Sequence, residues 1–295
     1  MFILIQFTYI RITEKRLLSA NIILTVLALV NVLVIISRII PQSLNALGVD
    51  NLLDDTSCKF VIFTYRVNRA MSICVTSLLS CYQCIVIAPN TKVWIYVKNR
   101  ITQNVVPIIL VLWIINISLY PYFVLNATTR KNQTTSPYTL HLVYCDADFL
   151  NYIAYIVNGA CYAFRDFICV GLMAFASSYI VFTLHKHKKL VKGIRSSEKV
   201  QGRSVEYRAS KAVILLVALY VLLYGLDNSV WIYTLTLSDV SPSMNEIRIF
   251  LASSYSSLSP ILIISTNPKL QNNILPYKRR TLSCNNQGHI HSISK

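Results

Sequence analysis

The sequence predicts an all-α membrane protein, built as a bundle of helices that cross the bilayer. Three observations predict this fold class. Six apolar runs each reach or exceed the ~20 residues of helix that cross a ~30 Å hydrocarbon core. Basic residues are concentrated in alternate segments between these runs. With 54% hydrophobic and 14% charged residues, the composition is also far from the balance of a soluble domain.

The apolar runs define the predicted helices in chain order. They are residues 17–40, 60–88, 104–125, 150–184, 209–237 and 246–266. In lipid, a helix satisfies all of its own backbone hydrogen bonds, whereas an exposed irregular segment does not. Each run is therefore predicted to form one complete transmembrane span.

The charges between the runs predict the orientation of the chain. Of the 28 Lys and Arg residues, three lie in residues 11–16, three in residues 92–100, nine in residues 186–211 and five in residues 269–295. Basic loops stay on the cytoplasmic side of a membrane, so these segments are predicted to be inside. The intervening loops are predicted to face outside, and they hold Asp50, Asp54, Asp55, Asp146, Asp148 and Asp239.

The net charge of +16 follows from this topology. A nucleic-acid partner is the usual alternative for so basic a chain, but the basic residues are dispersed over one membrane face without a compact platform of basic and aromatic residues. No nucleic-acid partner is expected. The basic residues at 185–192, directly after the fourth run, suit the anionic lipids of the inner leaflet instead.

The two ends of the chain differ from the spans. Residues 1–10 are apolar but rise only ~15 Å as a helix, about half a bilayer. Because basic residues follow directly, this segment is predicted to be the remnant of a first helix whose beginning is missing. Six spans put both termini inside, whereas a restored first helix makes seven and puts the N-terminus outside. Residues 11–270 are predicted to form the bundle, and residues 271–295 a disordered cytoplasmic tail.

Cysteine positions support the outside assignment independently of charge. Of eight cysteines, Cys58 and Cys145 lie at extracellular level, so they are predicted to form a disulfide. Two free thiols are the alternative. The cysteines inside the spans are predicted to be small packing residues. Cys81 and Cys84 form a C-x-x-C by count alone, because the nearby sequence lacks further ligands, and no metal site is expected.

The second outer loop, at about residues 126–149, contains two glycosylation sequons, at Asn126 and Asn132. The use of either would require the loop to be lumenal during synthesis. Asn132 is the better candidate, because Asn126 lies close to the bilayer. Asn116 also matches the sequon but lies inside a span, so it is predicted to be a chance match.

Several blocks of sequence resemble one family. The stretch RDFICVGLMA at 165–174, followed by a pair of serines and by Leu-His-Lys-His at 184–187, resembles the fifth helix and following loop of vomeronasal type-1 receptors, also called class A-like olfactory receptors. The blocks at 58–83, 40–42, 209–233 and 258–260 resemble the third, second, sixth and seventh helices of that family. The resemblance covers about residues 11–270.

The resemblance implies a seven-transmembrane helical bundle of the G-protein-coupled receptor type, with the first helix truncated in this chain. It also implies a receptor for pheromone-like or other small odorants in the plasma membrane of chemosensory neurons. Like the family, the chain lacks the acidic-Arg-Tyr triplet of rhodopsin-like receptors at the inner end of the third helix, where Ser-Cys-Tyr-Gln stands at 80–83. The activation switches of those receptors are therefore not carried over.

Ionisable residues inside the spans are the best candidates for a functional site. Each costs roughly 2.5–3.5 kcal/mol at mid-bilayer unless it is paired or hydrated. Five are identified from the sequence: Arg66, Arg69, Arg165, Asp166 and Asp227. By helical rise, Arg66 and Arg69 lie about 12 and 16 Å below Cys58, and Asp227 lies in the outer third of its span, so their depths overlap.

Two hypotheses cover these residues. The first is a structural set of Arg–Asp pairs that holds three helices together. The second is that three Arg against two Asp leave one cation, from Arg66 or Arg69, to bind a carboxylate, sulfate or carbonyl group of a ligand. The aromatic residues suited to line such a cavity are Tyr65, Tyr162, Phe164, Trp231 and Tyr233. Aromatics in spans, however, more often serve packing or anchor the helix at the interface.

The cytoplasmic face is predicted to do the coupling. Residues 186–211 form a basic loop of about 25 residues, long enough to extend the fifth and sixth helices and meet a heterotrimeric G protein. The candidate coupling residues are His185, Lys186, Lys188 and Lys189. Charge that serves orientation alone is the alternative. The predicted mechanism is a population shift, in which the ligand binds one helix arrangement better than another.

Other classes of protein remain as alternatives. A transporter or channel subunit predicts internal repeats or broken glycine-rich helices, but the chain has seven glycines and no visible repeat. A membrane enzyme predicts a clustered catalytic set, whereas the five histidines lie in loops or in the tail, so neither an enzyme nor a cofactor is expected. A truncated relative of a receptor that does not signal is the third alternative.

Overall fold

The computed structural model describes residues 19–48, 53–89, 91–129, 139–141, 145–148, 151–191, 200–235 and 242–266. The predicted remnant of a first helix at 1–10 and the predicted tail at 271–295 lie outside these residues.

Helices dominate the structure. In chain order they are α1 (Ser19–Ala46), α2 (Asp55–Ile87), α3 (Lys92–Gln103), α4 (Val105–Ser118), α5 (Pro121–Asn126), α6 (Tyr152–Val191), α7 (Val200–Leu235) and α8 (Pro242–Thr266). Between α5 and α6 lie three short antiparallel strands, β1 (Ala127–Thr129), β2 (Thr139–His141) and β3 (Cys145–Asp148), in the order β1-β3-β2.

Four of these helices, α1, α2, α6 and α7, are long and apolar enough to cross a membrane, judged by length and composition within the described residues. The pair α3 and α4 makes a fifth span if the two count as one bent element. Helix α8 has the length of a span, at 25 residues. The helices and their order agree with the predicted fold class.

The predicted run at 104–125 holds two helices, because α4 ends at Ser118 and α5 begins at Pro121. At its start, α3 and α4 meet at Asn104 with a bend of 64°. The Asn104 side chain donates to the carbonyl oxygen of Arg100 at 2.7 Å, and so competes with the backbone ladder. Pro107 has no N–H to continue that ladder from α3 into α4. The break therefore follows from two local features that an average of hydropathy does not detect.

Helix α2 is the centre of the bundle. It packs against α1 and against each of the helices from α3 to α7, while α8 packs against α1 and α7. Of the four apolar helices it is the most buried, and small or polar side chains such as Ser72, Thr76 and Ser80 are fully or almost fully enclosed. Helix α6, by contrast, points Phe167 and Phe175 outward, 77% and 74% exposed. In a bilayer that outer face contacts lipid chains.

The predicted disulfide is confirmed. Cys58, near the start of α2, is bonded to Cys145 on β3, with 6.0 Å between the Cα atoms. Both cysteines are fully buried. Asp55 adds a second tie, because its carboxylate accepts hydrogen bonds from the backbone N–H and the hydroxyl of Thr129 at 2.8 and 2.7 Å. The second outer loop is thereby pinned over the outer end of α2.

Candidate functional site

The structure brings four of the five predicted ionisable residues into two neighbouring ion pairs. Helix α2 supplies Arg69, which pairs with Asp227 of α7. Helix α6 supplies both members of the second pair, Arg165 and Asp166. The predicted set of Arg–Asp pairs is therefore present, but only one of these two pairs joins different helices.

The pair between Arg69 and Asp227 connects α2 to α7. The Nη2 atom of Arg69 donates to Oδ2 of Asp227 at 2.8 Å, and Nη1 donates to the hydroxyl of Tyr65 at 3.1 Å. Tyr65 is one turn earlier on the same helix, so it holds the guanidinium in place. The side chain of Asp227 is 10% exposed and that of Arg69 is 30% exposed. The charged atoms therefore line an opening in the bundle and are not sealed inside it.

Arg165 makes several contacts besides its ion pair. Its Nε and Nη2 atoms donate to Oδ1 of Asp166 at 3.0 and 2.6 Å. Its Nη1 atom donates to the hydroxyl of Tyr120 at 2.6 Å and to Oδ1 of Asn116 at 3.3 Å. Tyr224 of α7 donates to Oδ2 of Asp166 at 3.4 Å. The pair within α6 therefore ties that helix to α4, to the segment before α5 and to α7.

Sequence reasoning missed two contributors to these pairs, Asn116 and Tyr120. Asn116 is fully buried, and its side chain also donates to the carbonyl oxygen of Leu112 at 2.8 Å. This burial agrees with the prediction that the sequon at Asn116 is a chance match. The ring of Tyr120 stacks on that of Tyr162 with 4.7 Å between their centroids. A buried Asn inside an apolar run was the signal that could have found the first of them.

The prediction of five ionisable residues inside the spans was wrong by at least one, because Arg38 of α1 also belongs to the set. Arg38 is 9% exposed, and its guanidinium carbon lies 4.9 Å from the centre of the Tyr65 ring. The predicted run at 17–40 contains Arg38, but its high average hydropathy hides one charge. Arg66 lies on α2 next to Tyr65 and interacts electrostatically with Tyr65 and Tyr120. It is repelled by Arg38 and Arg69.

A cavity opens beside the Arg69–Asp227 pair, between α2, α7 and α8. Its polar wall is that ion pair, and its aromatic wall is formed by Tyr220, Tyr224 and Tyr255. Leu223 and Leu251 complete an apolar side. The free volume is about 30 Å³, which is room for one or two water molecules. A larger occupant therefore requires α7 or its side chains to move.

Next to this cavity, Asn31 joins three helices. Its side chain donates to the hydroxyl of Ser259 on α8 at 2.7 Å and accepts from the hydroxyl of Ser72 on α2 at 2.6 Å. Ser256 also donates to Asn31, at 3.3 Å. Asn31 and Ser259 are fully buried. Ser72 and Ser256 also line the cavity, so the network and the cavity share residues.

The other predicted site residues have mixed outcomes. Tyr65 is buried, as a lining residue would be, but Phe164 and Tyr233 are 68% and 52% exposed, so those two do not line a cavity. The side chain of Trp231 lies outside the described residues. Within the described chain, no group of three or more His, Cys, Asp or Glu could hold a metal ion.

The glycosylation predictions stay predictions. Asn126 is the last residue of α5 and is partly buried. Asn132 lies outside the described residues.

At the cytoplasmic end, α6 extends to Val191 and α7 starts at Val200. The two helices therefore continue into the predicted basic loop 186–211, as expected. His185 and Lys186 are exposed there. Lys188 and Lys189 lie on the same helix, although their side chains are outside the described part. Whether these four residues couple to a partner stays a prediction.

Comparison with known proteins gives one consistent result. The family model of the vomeronasal organ pheromone receptor family matches residues 1–275. Olfactory receptor class A-like protein 1 of Danio rerio is 41% identical over 91% of this chain and 84% of its own length. Vomeronasal type-1 receptor 4 of Homo sapiens is 28% identical over 94% of this chain and 92% of its own length.

The fold also resembles that of a solved structure. Squid rhodopsin matches with a TM-score of 0.71 and 17% identity, over 96% of this chain and 81% of the rhodopsin chain. At this identity the likeness concerns the fold alone.

Proposed function

Because the chain belongs to the vomeronasal organ pheromone receptor family, we propose that it detects a small pheromone-like or odorant molecule and signals to a heterotrimeric G protein. Receptors of this family and fold are multi-pass proteins of the plasma membrane, and the apolar helices of this chain agree with that location.

One observation carries the proposal: the Arg69–Asp227 pair forms the polar wall of the cavity between α2, α7 and α8. Charged residues inside spans are costly and therefore mark functional sites more often than other residues do. A mostly apolar cavity with a few convergent polar groups is the usual form of a small-molecule site. Here the guanidinium would orient the ligand, while the tyrosine rings and Leu223 would hold its apolar body.

The small volume of the cavity suggests how binding would change the receptor. In this arrangement Asp227 accepts a hydrogen bond from Nη2 of the Arg69 guanidinium at 2.8 Å. A ligand that accepts hydrogen bonds from Arg69 would compete with Asp227 for the same donors. It would therefore bind better to an arrangement in which α7 has moved away from α2. This difference in affinity is what shifts a population of states.

Helix α7 could carry that change across the membrane. It is a single helix of 36 residues, so it is roughly 54 Å long. Asp227 lies near its outer end, while its inner end lies on the same side as the basic end of α6, where His185, Lys186, Lys188 and Lys189 lie. A displacement beside Asp227 would tilt the whole helix and change the inner surface available to a G protein. The ligand-binding and coupling roles are both part of the proposal.

In the test, the chain is placed in lipid nanodiscs, and the nucleotide exchange that it catalyses on purified heterotrimeric G proteins is measured. The probe is a mixture of small acids, alcohols, esters and amines, which is then divided into its single members. The expected result is exchange above that of empty nanodiscs with at least one member. Arg69→Gln should lose this response, whereas Arg100→Gln, an exposed residue of α3, should keep it.

Two outcomes would contradict the proposal in different ways. Direct binding of a member without exchange on any G-protein class would indicate a relative that does not signal. If Arg69→Gln responded as strongly as the unaltered chain, the ligand would not bind in the cavity beside Arg69.

A further inference from the structure

The hydroxyl of Tyr220 is an unsatisfied polar group beside the cavity. Tyr220 lines the cavity between α2, α7 and α8 and is 5% exposed. Its hydroxyl is enclosed, and within the described part of the chain it has no hydrogen-bond partner. Buried polar atoms have a partner in nearly all native structures, so an exception calls for a physical explanation.

The other polar side chains around the cavity are engaged. Each of them has a hydrogen-bond or ion-pair partner on another helix. These residues are Arg69, Ser72, Tyr224, Asp227, Tyr255 and Ser256. Tyr255 is the closest comparison, because it is also a buried tyrosine, and its hydroxyl lies 2.8 Å from that of Thr76. Among the polar residues that line the cavity, Tyr220 alone has a hydroxyl without a partner.

The ring of Tyr220 is held in place without its hydroxyl. The Tyr224 ring stacks on it with 5.5 Å between the centroids, and the Tyr255 ring meets it edge-on at 5.0 Å. Aromatic contacts of these kinds depend on the ring, so a phenylalanine at this position would make them as well. The hydroxyl therefore costs desolvation without a hydrogen bond in return, which is the expected state of a group that serves another molecule.

The position of Tyr220 gives the cavity two polar ends. Tyr220 lies two turns before Asp227 on α7, roughly 10 Å along the helix axis. Leu223 lies between them on the same face of that helix and also lines the cavity. The Arg69–Asp227 pair is thus the outer polar end, Tyr220 marks the inner end, and an apolar side chain separates the two.

We propose that the Tyr220 hydroxyl is a specificity-determining group, which selects ligands that carry a second polar atom at the far end of an apolar body. The first polar atom accepts a hydrogen bond from Arg69. The second is a hydroxyl or carbonyl oxygen, because the Tyr220 hydroxyl both donates and accepts. A site with such a buried polar group rejects an analogue that leaves the group unpaired.

The inference rests on the proposed function, since it requires that a ligand enters this cavity. In the present arrangement the Tyr220 hydroxyl is enclosed. The displacement of α7 that a ligand larger than about 30 Å³ requires would also uncover this hydroxyl, because Tyr220 belongs to α7.

The first measurement needs no ligand. Tyr220→Phe removes a hydroxyl that has no partner, so the thermal unfolding midpoint of the purified chain in nanodiscs should stay the same or rise. Tyr255→Phe is the matched comparison and should lower the midpoint, because it removes the hydrogen bond with Thr76. A fall in Tyr220→Phe as large as that in Tyr255→Phe would overturn the proposal, since the Tyr220 hydroxyl would then already be paired in the unliganded chain, for example with an ordered water.

The second measurement is direct binding to the same nanodiscs by equilibrium dialysis. The probes are two matched pairs: benzylacetone with its para-hydroxy derivative, and methyl butyl ketone with its terminal hydroxy derivative. In each pair the ketone oxygen can accept from Arg69, and only the hydroxy member has a second polar end. The hydroxy member of at least one pair should bind about fivefold more tightly than its partner. Tyr220→Phe should abolish this advantage, whereas Tyr96→Phe, which alters an exposed tyrosine of α3, should keep it.

The proposal is overturned if neither hydroxy compound binds, if neither binds more tightly than its plain partner, or if the advantage survives in Tyr220→Phe. The signalling test has separate outcomes. Selective binding that Tyr220→Phe abolishes, without nucleotide exchange on any G protein, would contradict the signalling role and leave the role of Tyr220 intact. Exchange that responds equally to both members of each pair would do the reverse.

Discussion

The guanidinium of Arg69 donates to the carboxylate of Asp227 at 2.8 Å, across the boundary between α2 and α7. The two residues are 158 positions apart in the chain. They are thus a direct charged link between the central helix and the helix that reaches the cytoplasmic face. The first prediction concerns the strength of this link.

Asp227→Asn, Arg69→Gln and the double variant form a double-mutant cycle. Each single change leaves a partly buried group without its charged partner, so the double variant should be less destabilised than the sum of the two single variants. The expected coupling free energy is about 1–3 kcal/mol, measured from unfolding in micelles. Asp227→Asn should also raise nucleotide exchange in the absence of ligand, because α7 is less restrained.

The control for this cycle is Arg100→Gln paired with Asp227→Asn. Arg100 is exposed on α3, and the two changes should be additive to within about 0.5 kcal/mol. A coupling of the same size in both cycles would mean that net charge, and not the pair, is measured.

A second prediction concerns the Cys58–Cys145 disulfide. It closes a loop with a sequence separation of 87, and the loop-entropy model assigns such a bridge about 4 kcal/mol. The double variant Cys58→Ser with Cys145→Ser should lower the unfolding free energy by an amount of that order. Reducing agent should destabilise the unaltered chain similarly and should have no further effect on the double variant.

Cys161→Ser is the matched control for the disulfide, because Cys161 is a free and exposed cysteine of α6. It should change the unfolding midpoint little and should keep the sensitivity to reducing agent. If the double variant proved as stable as Cys161→Ser, the stabilising role of the bridge would be rejected.

A third prediction concerns Asn31, which joins α1, α2 and α8. Asn31→Ala removes hydrogen bonds to Ser72, Ser256 and Ser259 and leaves buried hydroxyl groups unsatisfied. The expected loss is about 1–3 kcal/mol of unfolding free energy. Asn228→Ala is the matched comparison, since that side chain donates to the carbonyl oxygen of Tyr224 in its own helix. The same loss of unfolding free energy at both positions would show that the hydrogen bonds of Asn31 to other helices add no more stability than one hydrogen bond within a helix.

The fourth prediction is a pH dependence at the outer end of α2. Asp54 caps this helix by accepting a hydrogen bond from the Ser57 backbone N–H at 2.9 Å, and hydrogen bonds from Ser57 lower the pKa of Asp54 below its ordinary value of 3.8. A carboxyl group with a lowered pKa stabilises the fold above its unfolded pKa. That contribution is lost as the pH falls through the folded pKa.

Hydrogen exchange measures this cap locally. Protection of the amides at Ser57 and Cys58, corrected for intrinsic exchange, should fall as the pH drops below about 4. Asp54→Asn should keep the protection and lose its pH dependence, because a neutral amide also caps helices. Asp54→Ala should lose the protection at every pH. An unchanged pH profile in Asp54→Asn would assign the effect to another group.

Much of the architecture could be predicted from local sequence. The apolar runs located the helices α1, α2, α6, α7 and α8, because transmembrane length and hydropathy are properties of consecutive residues. The alternation of basic and acidic loops predicts the orientation, and the positions of Cys58 and Cys145 at the same end of their neighbouring spans predicted the disulfide, which the structure confirms. The end of α4 at Ser118, inside the predicted run at 104–125, was missed, since a short interruption scarcely changes the average of a long apolar run.

The candidate site was predicted only in part. Its residue types were visible, because a charge in an apolar run is conspicuous, and Arg69, Arg165, Asp166 and Asp227 all take part in ion pairs. The residues with which these charges pair could not be predicted from the sequence. Arg38 was overlooked inside its run, and Asn31 gave no sign that it would join three helices.

The sequence by itself determined the class of the protein and its family, since each depends on composition or on motifs that can be compared along the chain. Only the tertiary structure decided that Arg69 pairs with Asp227 while Arg165 pairs within its own helix, and that Arg38 lies on Tyr65. These contacts depend on the rotation and depth of each helix against its neighbours. Rotation and depth result from the packing of all the helices together, which no single segment of the sequence contains.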